Sequence, residues 1–196
     1  QIIIGGAALS KEVEDFLHNI NFPYTVGYGA TECAPIICYR DWQTFVKGSC
    51  GQAAYHQEVR IDSSDPENIE GEILTKGPNV LLGYYKNEEA TAQAIDKNGW
   101  FHTGDLGTMD ADGNVFIRGR SKNMLLGSNG QNIYPEEIED ALNSLNLVAE
   151  CLVVQRDEKL VGLVYPDYEE AKTLGLNEED INKLMEENRT QLNTIM

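Results

Sequence analysis

The chain has 196 residues, 41% of them apolar, which is enough to bury a real core and long enough for one or two domains. Its 32 acidic and 15 basic residues give a formal charge of −17, which argues against a nucleic-acid backbone or an anionic membrane surface as the main partner but not against a nucleotide, which needs only a local cluster of donors. Cys33, Cys38, Cys50 and Cys151 fall at no CxxC spacing, and His18, His56 and His102 are scattered, so zinc and a disulfide framework are not expected and a reducing cytoplasm is the default setting.

Gln1 opens directly into the strand-like run Ile2, Ile3, Ile4, so the sequence reads as a piece of a longer protein, and no apolar run approaches the ~20 residues that span a bilayer. Ile2 to Ile4 reads as a buried strand, followed by a turn at Gly5 and Gly6 and by Ser10 as N-cap of a helix carrying Val13, Phe16, Leu17 and Ile20. Pro23 ends that helix and Tyr24 to Val26 forms a second strand, giving a parallel β-α-β unit. Both strands run out into glycine on one edge, where such sheets bind ligands. The second of these loops is GYGATE, Gly27 to Glu32. Its glycines allow close backbone approach, Tyr28 offers a stacking face, Thr31 a hydroxyl, and Glu32 a hard oxygen ligand for Mg²⁺. Taken singly, Tyr28 also suits a core aromatic and Glu32 a solvated carboxylate.

From Gly48 to Lys97 short β-rich runs, Glu58 to Asp62 and Gly71 to Lys76 among them, predict a small barrel or curled sheet. Glu88 to Ile95 predicts a short helix, and Gly83, Tyr84 and Tyr85 beside it read as structural. Asp105 lies in a glycine-flanked loop before a hairpin that turns at Asp110, Ala111, Asp112 and Gly113 and returns through Val115 to Arg118, which brings Arg120 back toward Asp105. A carboxylate accepts two hydroxyl donors of a ribose diol and a guanidinium forks onto sugar or phosphate oxygens. On spacing alone, a hairpin closed by a surface ion pair is the simpler account of that pair.

After Arg120, a hairpin from Met124 to Tyr134 turning at Ser128, Asn129 and Gly130, a helix opened by Pro135 with Ile138, Leu142 and Leu145 on one face, and a second hairpin across Arg156, Asp157 and Glu158 predict a small α+β module. The boundary falls near Arg120 to Lys122. Residues 167–196, with 8 acidic and 3 basic residues, predict a solvated amphipathic helix with Ile181, Leu184, Met185 and Asn188 at helical spacing.

In this order, GGAAL at Gly5 to Leu9, GYGATE, GEILTKGPNVLLGYYKN at Gly71 to Asn87, GWFHTGD at Gly99 to Asp105, GRSKN at Gly119 to Asn123 and GQNIYPEEIE at Gly130 to Glu139 resemble the adenylate-forming superfamily of acyl-CoA synthetases, adenylation domains and luciferases. The tail from Val164 onward is most similar to bacterial long-chain fatty acid CoA ligases. The resemblance implies an α/β and β-rich remainder of the large adenylating domain over residues 1–120 (β-α-β unit 1–47, β-barrel 48–120), then a truncated small α+β C-terminal domain over 121–196. It implies a fatty acid, ATP and CoA as substrates, AMP as product, Mg²⁺ as the metal, and no nucleic-acid partner.

By matching position, Gly6, Ala7 and Ala8 border the adenine; Gly27, Tyr28 and Gly29 lie beside it with Tyr28 stacked on it. Thr31 contacts the α-phosphate and Glu32 helps hold Mg²⁺, the two candidates for a catalytic role. Asp105 binds the ribose hydroxyls with Arg120 supporting the same sugar, Lys122 is the hinge, and Gly130 lines the pantetheine route. The family's phosphate loop and its terminal lysine have no match here, so this stretch alone is expected to be inactive or nearly so. Two alternatives stay open: an adenylation domain that loads a carrier protein or activates an aryl or short acid, and a non-catalytic adenylate-binding module.

Overall fold

The computed structural model describes residues 2–127, 131–157 and 159–195. Gln1, Ser128, Asn129, Gly130, Glu158 and Met196, and with them the turn of the expected 124–134 hairpin and the Gly130 contact, lie outside the described residues. The chain divides into two compact units, residues 1–122 and 123–196.

The first unit begins with β1 (Ile2–Ile4), α1 (Lys11–Asn19) and β2 (Tyr24–Val26). The two strands are parallel, with Ile4 opposite Val26. The Ser10 side chain caps α1 by accepting from the Val13 amide, with Glu12 and Glu14 in the first turn. β1 is not the buried strand expected: Ile2 and Ile3 are exposed, as are Val13 and Phe16 on α1 and Ile20 at its C-cap. This sheet has two strands, too few to cover both apolar surfaces. What is buried instead is Glu14, whose Oε1 accepts from the Tyr24 hydroxyl at 3.3 Å and the Gly48 amide at 2.9 Å.

Next come β3 (Tyr28–Gly29), β4 (Ile36–Tyr39) and β5 (Gln52–Ala53), an antiparallel three-stranded sheet. Then β6 (Glu58–Asp62), β7 (Gly71–Lys76), α2 (Glu88–Ala94), β8 (Phe101–Met109) and β9 (Val115–Arg120) follow, the strands forming a four-stranded antiparallel sheet in the order β6-β7-β8-β9. The β-rich region is present, as open sheets rather than a closed ring among the described residues. Backbone bonds from Cys50 to Val115 and from Val115 to Gly51 tie the end preceding β5 to the start of β9. One apolar core draws on both sheets: Tyr28, Ile37 and Cys38 from one, Ile61, Ile73, Phe101 and Val115 from the other. Full burial of Ile37, Ile73 and Val115 contributes roughly 1.5–3 kcal/mol each.

Asp105 sits within strand β8, not in a loop before it. Pairing with Arg120 of β9, in a strand whose residues on either side pair with β7, supplies a backbone setting that overrides the glycine-rich local sequence. The turn at Asp110 to Gly113 forms as expected, with Asp110 Oδ1 accepting from the amides of Asp112 and Asn114.

The second unit holds β10 (Leu125–Leu126), β11 (Asn132–Ile133), α3 (Pro135–Asn143), β12 (Val148–Arg156), β13 (Lys159–Pro166), α4 (Tyr168–Thr173) and α5 (Glu178–Ile195). Ile138, Leu142 and Leu145 of the α3 region pack on Val153 of the β12–β13 hairpin. The tail forms two helices where one was expected, because TLGLN at 173–177 interrupts helical hydrogen bonding. Asn177 then caps α5 by accepting from the Glu179 and Asp180 amides. One face of α5 is buried rather than solvated: Ile181 joins Leu147 and Ala171, and buried Asn188 donates to the Asn146 carbonyl at 2.8 Å.

Candidate functional site

The loops leaving β1 and β2 start side by side, since the Gly27 amide donates to the Ile4 carbonyl at 2.8 Å. Gly6, Ala7 and Ala8 are exposed just beyond β1. From Gly27 the chain enters β3, and this short strand carries Tyr28 across to β8. The Tyr28 hydroxyl donates to Asp105 Oδ2 at 2.5 Å. Burial first, then the Asp105 charge, push the Tyr28 phenol far above its usual range, so it stays a donor. Its ring belongs to the core and the residue is 8% exposed, so most of the face expected to meet an adenine is covered by protein.

Asp105 is opposite Arg120 in the β8–β9 register, and its Oδ1 lies 3.1 Å from Arg120 Nε. Asp105 is 7% exposed, while rather more than half of the Arg120 side chain is in solvent. Two carboxylate oxygens offer about four acceptor positions. Tyr28 takes one on Oδ2 and Arg120 pairs with Oδ1, which leaves acceptor capacity on the carboxylate, and a ribose diol presents two donors.

Strand packing sets its own requirement at Gly29. A Cβ there would lie 2.1 Å from the Pro35 carbonyl oxygen, so the missing side chain makes room for the chain leading into β4. Thr31 and Glu32 follow in a 3-10 turn, Thr31–Cys33. Three groups from the segment after β7 hold that turn. The Asn79 side-chain Nδ2 donates to the carbonyls of Cys33 at 2.5 Å and Ile36 at 2.9 Å, the Leu81 backbone amide to the Glu32 carbonyl at 2.7 Å, and the Tyr84 hydroxyl to Glu32 Oε1 at 2.9 Å. The last contact was not legible in the sequence, where Tyr84 reads as structural; its signal was the GPNVLLGYYKN run itself.

Glu32 thus keeps carboxylate acceptor capacity beside a hydroxyl donor. Among the described residues no group of three or more His, Cys, Asp or Glu side chains could hold a metal ion. A single carboxylate is compatible with Mg²⁺ only where phosphate oxygens and waters supply the other ligands. Lys122 is exposed at the end of the first unit. The structure therefore brings Tyr28, Asp105 and Arg120 into direct contact; Thr31 and Glu32 share the chain that leaves Tyr28.

Residues 1–85 match the family described as AMP-binding enzyme. The 2-succinylbenzoate–CoA ligase of Bacillus cytotoxicus is 37% identical over 83% of this chain and 34% of its own length. The chloroplastic long-chain-fatty-acid–[acyl-carrier-protein] ligase AEE15 of Arabidopsis thaliana is 32% identical over 87% of this chain and 26% of its own. Among solved structures, o-succinylbenzoate CoA synthetase of Bacillus subtilis in complex with its acyl-adenylate intermediate superposes with a TM-score of 0.74 at 30% identity, covering 85% of this chain and 36% of that one. The same enzyme with ATP and a magnesium ion gives 0.73 at 28%, covering 92% and 41%. The chain thus spans well under half the length of the relatives it matches.

Proposed function

We propose, on the premise that this chain belongs to the AMP-binding enzyme family, that it serves ATP-dependent activation of a carboxylic acid. The acid's carboxylate attacks the α-phosphate of ATP, pyrophosphate leaves, and the thiol of CoA then displaces AMP from the acyl adenylate to give a thioester. Residues 1–120 are read as part of the large adenylating domain and residues 121–196 as the small C-terminal one, with a cytoplasmic setting that agrees with four free thiols.

The observation that carries this reading is the buried Asp105 carboxylate, fixed by Tyr28 and Arg120 with acceptor positions to spare. Asp105 accepts the ribose hydroxyls and Arg120 supports the same sugar; Tyr28 contributes chiefly its hydroxyl, which fixes Asp105. Gly6, Ala7, Ala8, Gly27 and Gly29 border the adenine, and Thr31 donates to the α-phosphate. Glu32, held by Tyr84, is the residue to hold Mg²⁺, which when bound neutralises charge on phosphate oxygens. Lys122 is the pivot, and Gly130 lines the thiol's route.

A long-chain fatty acid is the proposed substrate, supported by the tail's resemblance and by the long-chain-fatty-acid ligase among the relatives. That same relative, named for an acyl-carrier protein, favours a second reading in which a carrier protein is the thiol acceptor. The succinylbenzoate ligases favour an aromatic acid. Calorimetry of AMP binding tests the site: Asp105→Ala is expected to weaken binding by roughly 1.5–3 kcal/mol, the worth of hydrogen bonds to a charged group, and unchanged affinity would remove the ribose assignment. Pyrophosphate–ATP exchange compared across long-chain and aromatic acids separates the substrate readings.

A further inference from the structure

Between its pairings His102 with Leu74 and Leu106 with Glu72, strand β8 carries three residues, Thr103, Gly104 and Asp105, against the single Ile73 of β7. The extra residues bulge out of the ladder, and bulged backbone donors lose their cross-strand acceptors. Side chains replace them here. Glu72 Oε1 accepts from the Gly104 amide at 2.9 Å and Glu72 Oε2 lies 2.8 Å from His102 Nδ1. Thr103 Oγ1 accepts from the Asp105 amide at 3.1 Å while donating to the Ile73 carbonyl at 2.7 Å. On the far side, the Gly104 carbonyl accepts from the Ser121 amide at 2.9 Å. Gly104 itself has φ +72°, a left-handed conformation that glycine adopts without steric cost.

Asp105 leaves the chain from this bulge, and the Thr103–Gly104 peptide, one removed from Asp105, is gripped by Glu72. We infer that Glu72, with His102 as its second partner, is a positioning residue that aims Asp105 and thereby sets the preference for a ribose diol. The inference rests on the reading of Asp105 as the ribose contact. Glu72 touches no residue of the site directly; it acts through the Gly104 turn.

The test is binding of AMP and of 2′,3′-dideoxyadenosine monophosphate to the whole chain and to Glu72→Ala, Glu72→Asp, Glu72→Gln and Asp105→Ala, with tryptophan fluorescence confirming the fold of each. Wild type is expected to prefer AMP, and Asp105→Ala to abolish that preference. Glu72→Ala should lower it by about tenfold, the loss of one charge-assisted hydrogen bond. Glu72→Asp, which keeps the charge but is one methylene too short for the Gly104 amide, should lose it as well. Glu72→Gln, which keeps an acceptor at the right length, should retain most of it. Should the alanine variant not fold, the aspartate and glutamine variants carry the comparison. A wild-type preference that Asp105→Ala removes and Glu72→Ala or Glu72→Asp leaves intact overturns the positioning role alone. A wild type that does not bind AMP, or binds both nucleotides equally, overturns the ribose reading and the inference with it.

Discussion

Tyr28 and Asp105, 77 positions apart in sequence, meet through a hydroxyl-to-carboxylate hydrogen bond of 2.5 Å in a buried setting. The bond joins the strand continuing the β-α-β unit to the strand that pairs with Arg120, so it fastens the two halves of the candidate site. Tyr28→Phe keeps the ring in the core and deletes the donor, leaving a buried carboxylate with one partner fewer. The expected cost is about 1.5–3 kcal/mol. Trp42 and Trp100 both lie in the first unit, so denaturant unfolding followed by their fluorescence reads it directly; a midpoint equal to wild type would show that the hydroxyl contributes nothing.

Gly27 and Gly29 look equivalent in the GYGATE run, yet the structure separates them. A Cβ at Gly27 meets the Cys38 carbonyl oxygen at 3.6 Å, an ordinary contact, whereas at Gly29 it falls 2.1 Å from the Pro35 carbonyl oxygen. Gly29→Ala must push β3 from β4 and should destabilise the first unit by roughly 1–3 kcal/mol; Gly27→Ala should stay within about 1 kcal/mol. Equal midpoints for the two variants would place the constraint on Gly29 elsewhere than in strand packing.

The contrast between these pairs explains what could be read in advance. Asp105 near Arg120 was legible because a turn at Asp110 to Gly113 brings the strands it joins back alongside each other; that the two stand directly opposite was not, because the register shifts between Leu106 and Gly107. Tyr28 on Asp105 was not, since no periodicity encodes a contact between two sheets. The periodicity of Val13, Phe16 and Ile20 correctly announced a helix, but pattern names the apolar face and not what covers it. In sequence Asp105 reads as a loop residue because Gly104 and Gly107 mimic a loop. The bulge that needs Gly104 is a property of the pairing with β7, which appears only once Glu72 is opposite Leu106.

The Tyr24 phenol donates to Glu14 and is pushed up to about 12, by burial first and then by the charge of Glu14. Against an ordinary value of 10.0, a raised folded pKa means a contribution fully present below pH 10 and lost as pH rises toward 12. Wild type should therefore exceed Tyr24→Phe in unfolding midpoint at pH 8. The gap should narrow across pH 10 to 12. A gap that holds constant through that window would mean that the phenol ionises equally in both states.

On α3, Asp140 has its carboxyl held above the ordinary 3.8, by burial first and then by the neighbouring charges of Glu139 and Glu136. The folded state therefore binds this proton more tightly than the unfolded one, so the favourable contribution is complete below pH 3.8 and lost as pH rises through the folded value. At neutral pH the ionised group works against the second unit, and Asp140→Asn should raise its thermal midpoint, the advantage closing as pH falls through the folded value and gone below 3.8. Both tryptophans lie in the other unit, so NMR signals of Tyr165 and Tyr168 are the suitable probe. Added salt divides the causes, because it screens exposed like charges and leaves desolvation untouched. With burial the larger cause, most of the advantage should survive at high ionic strength; an advantage that salt abolishes would assign it to Glu139 and Glu136 instead.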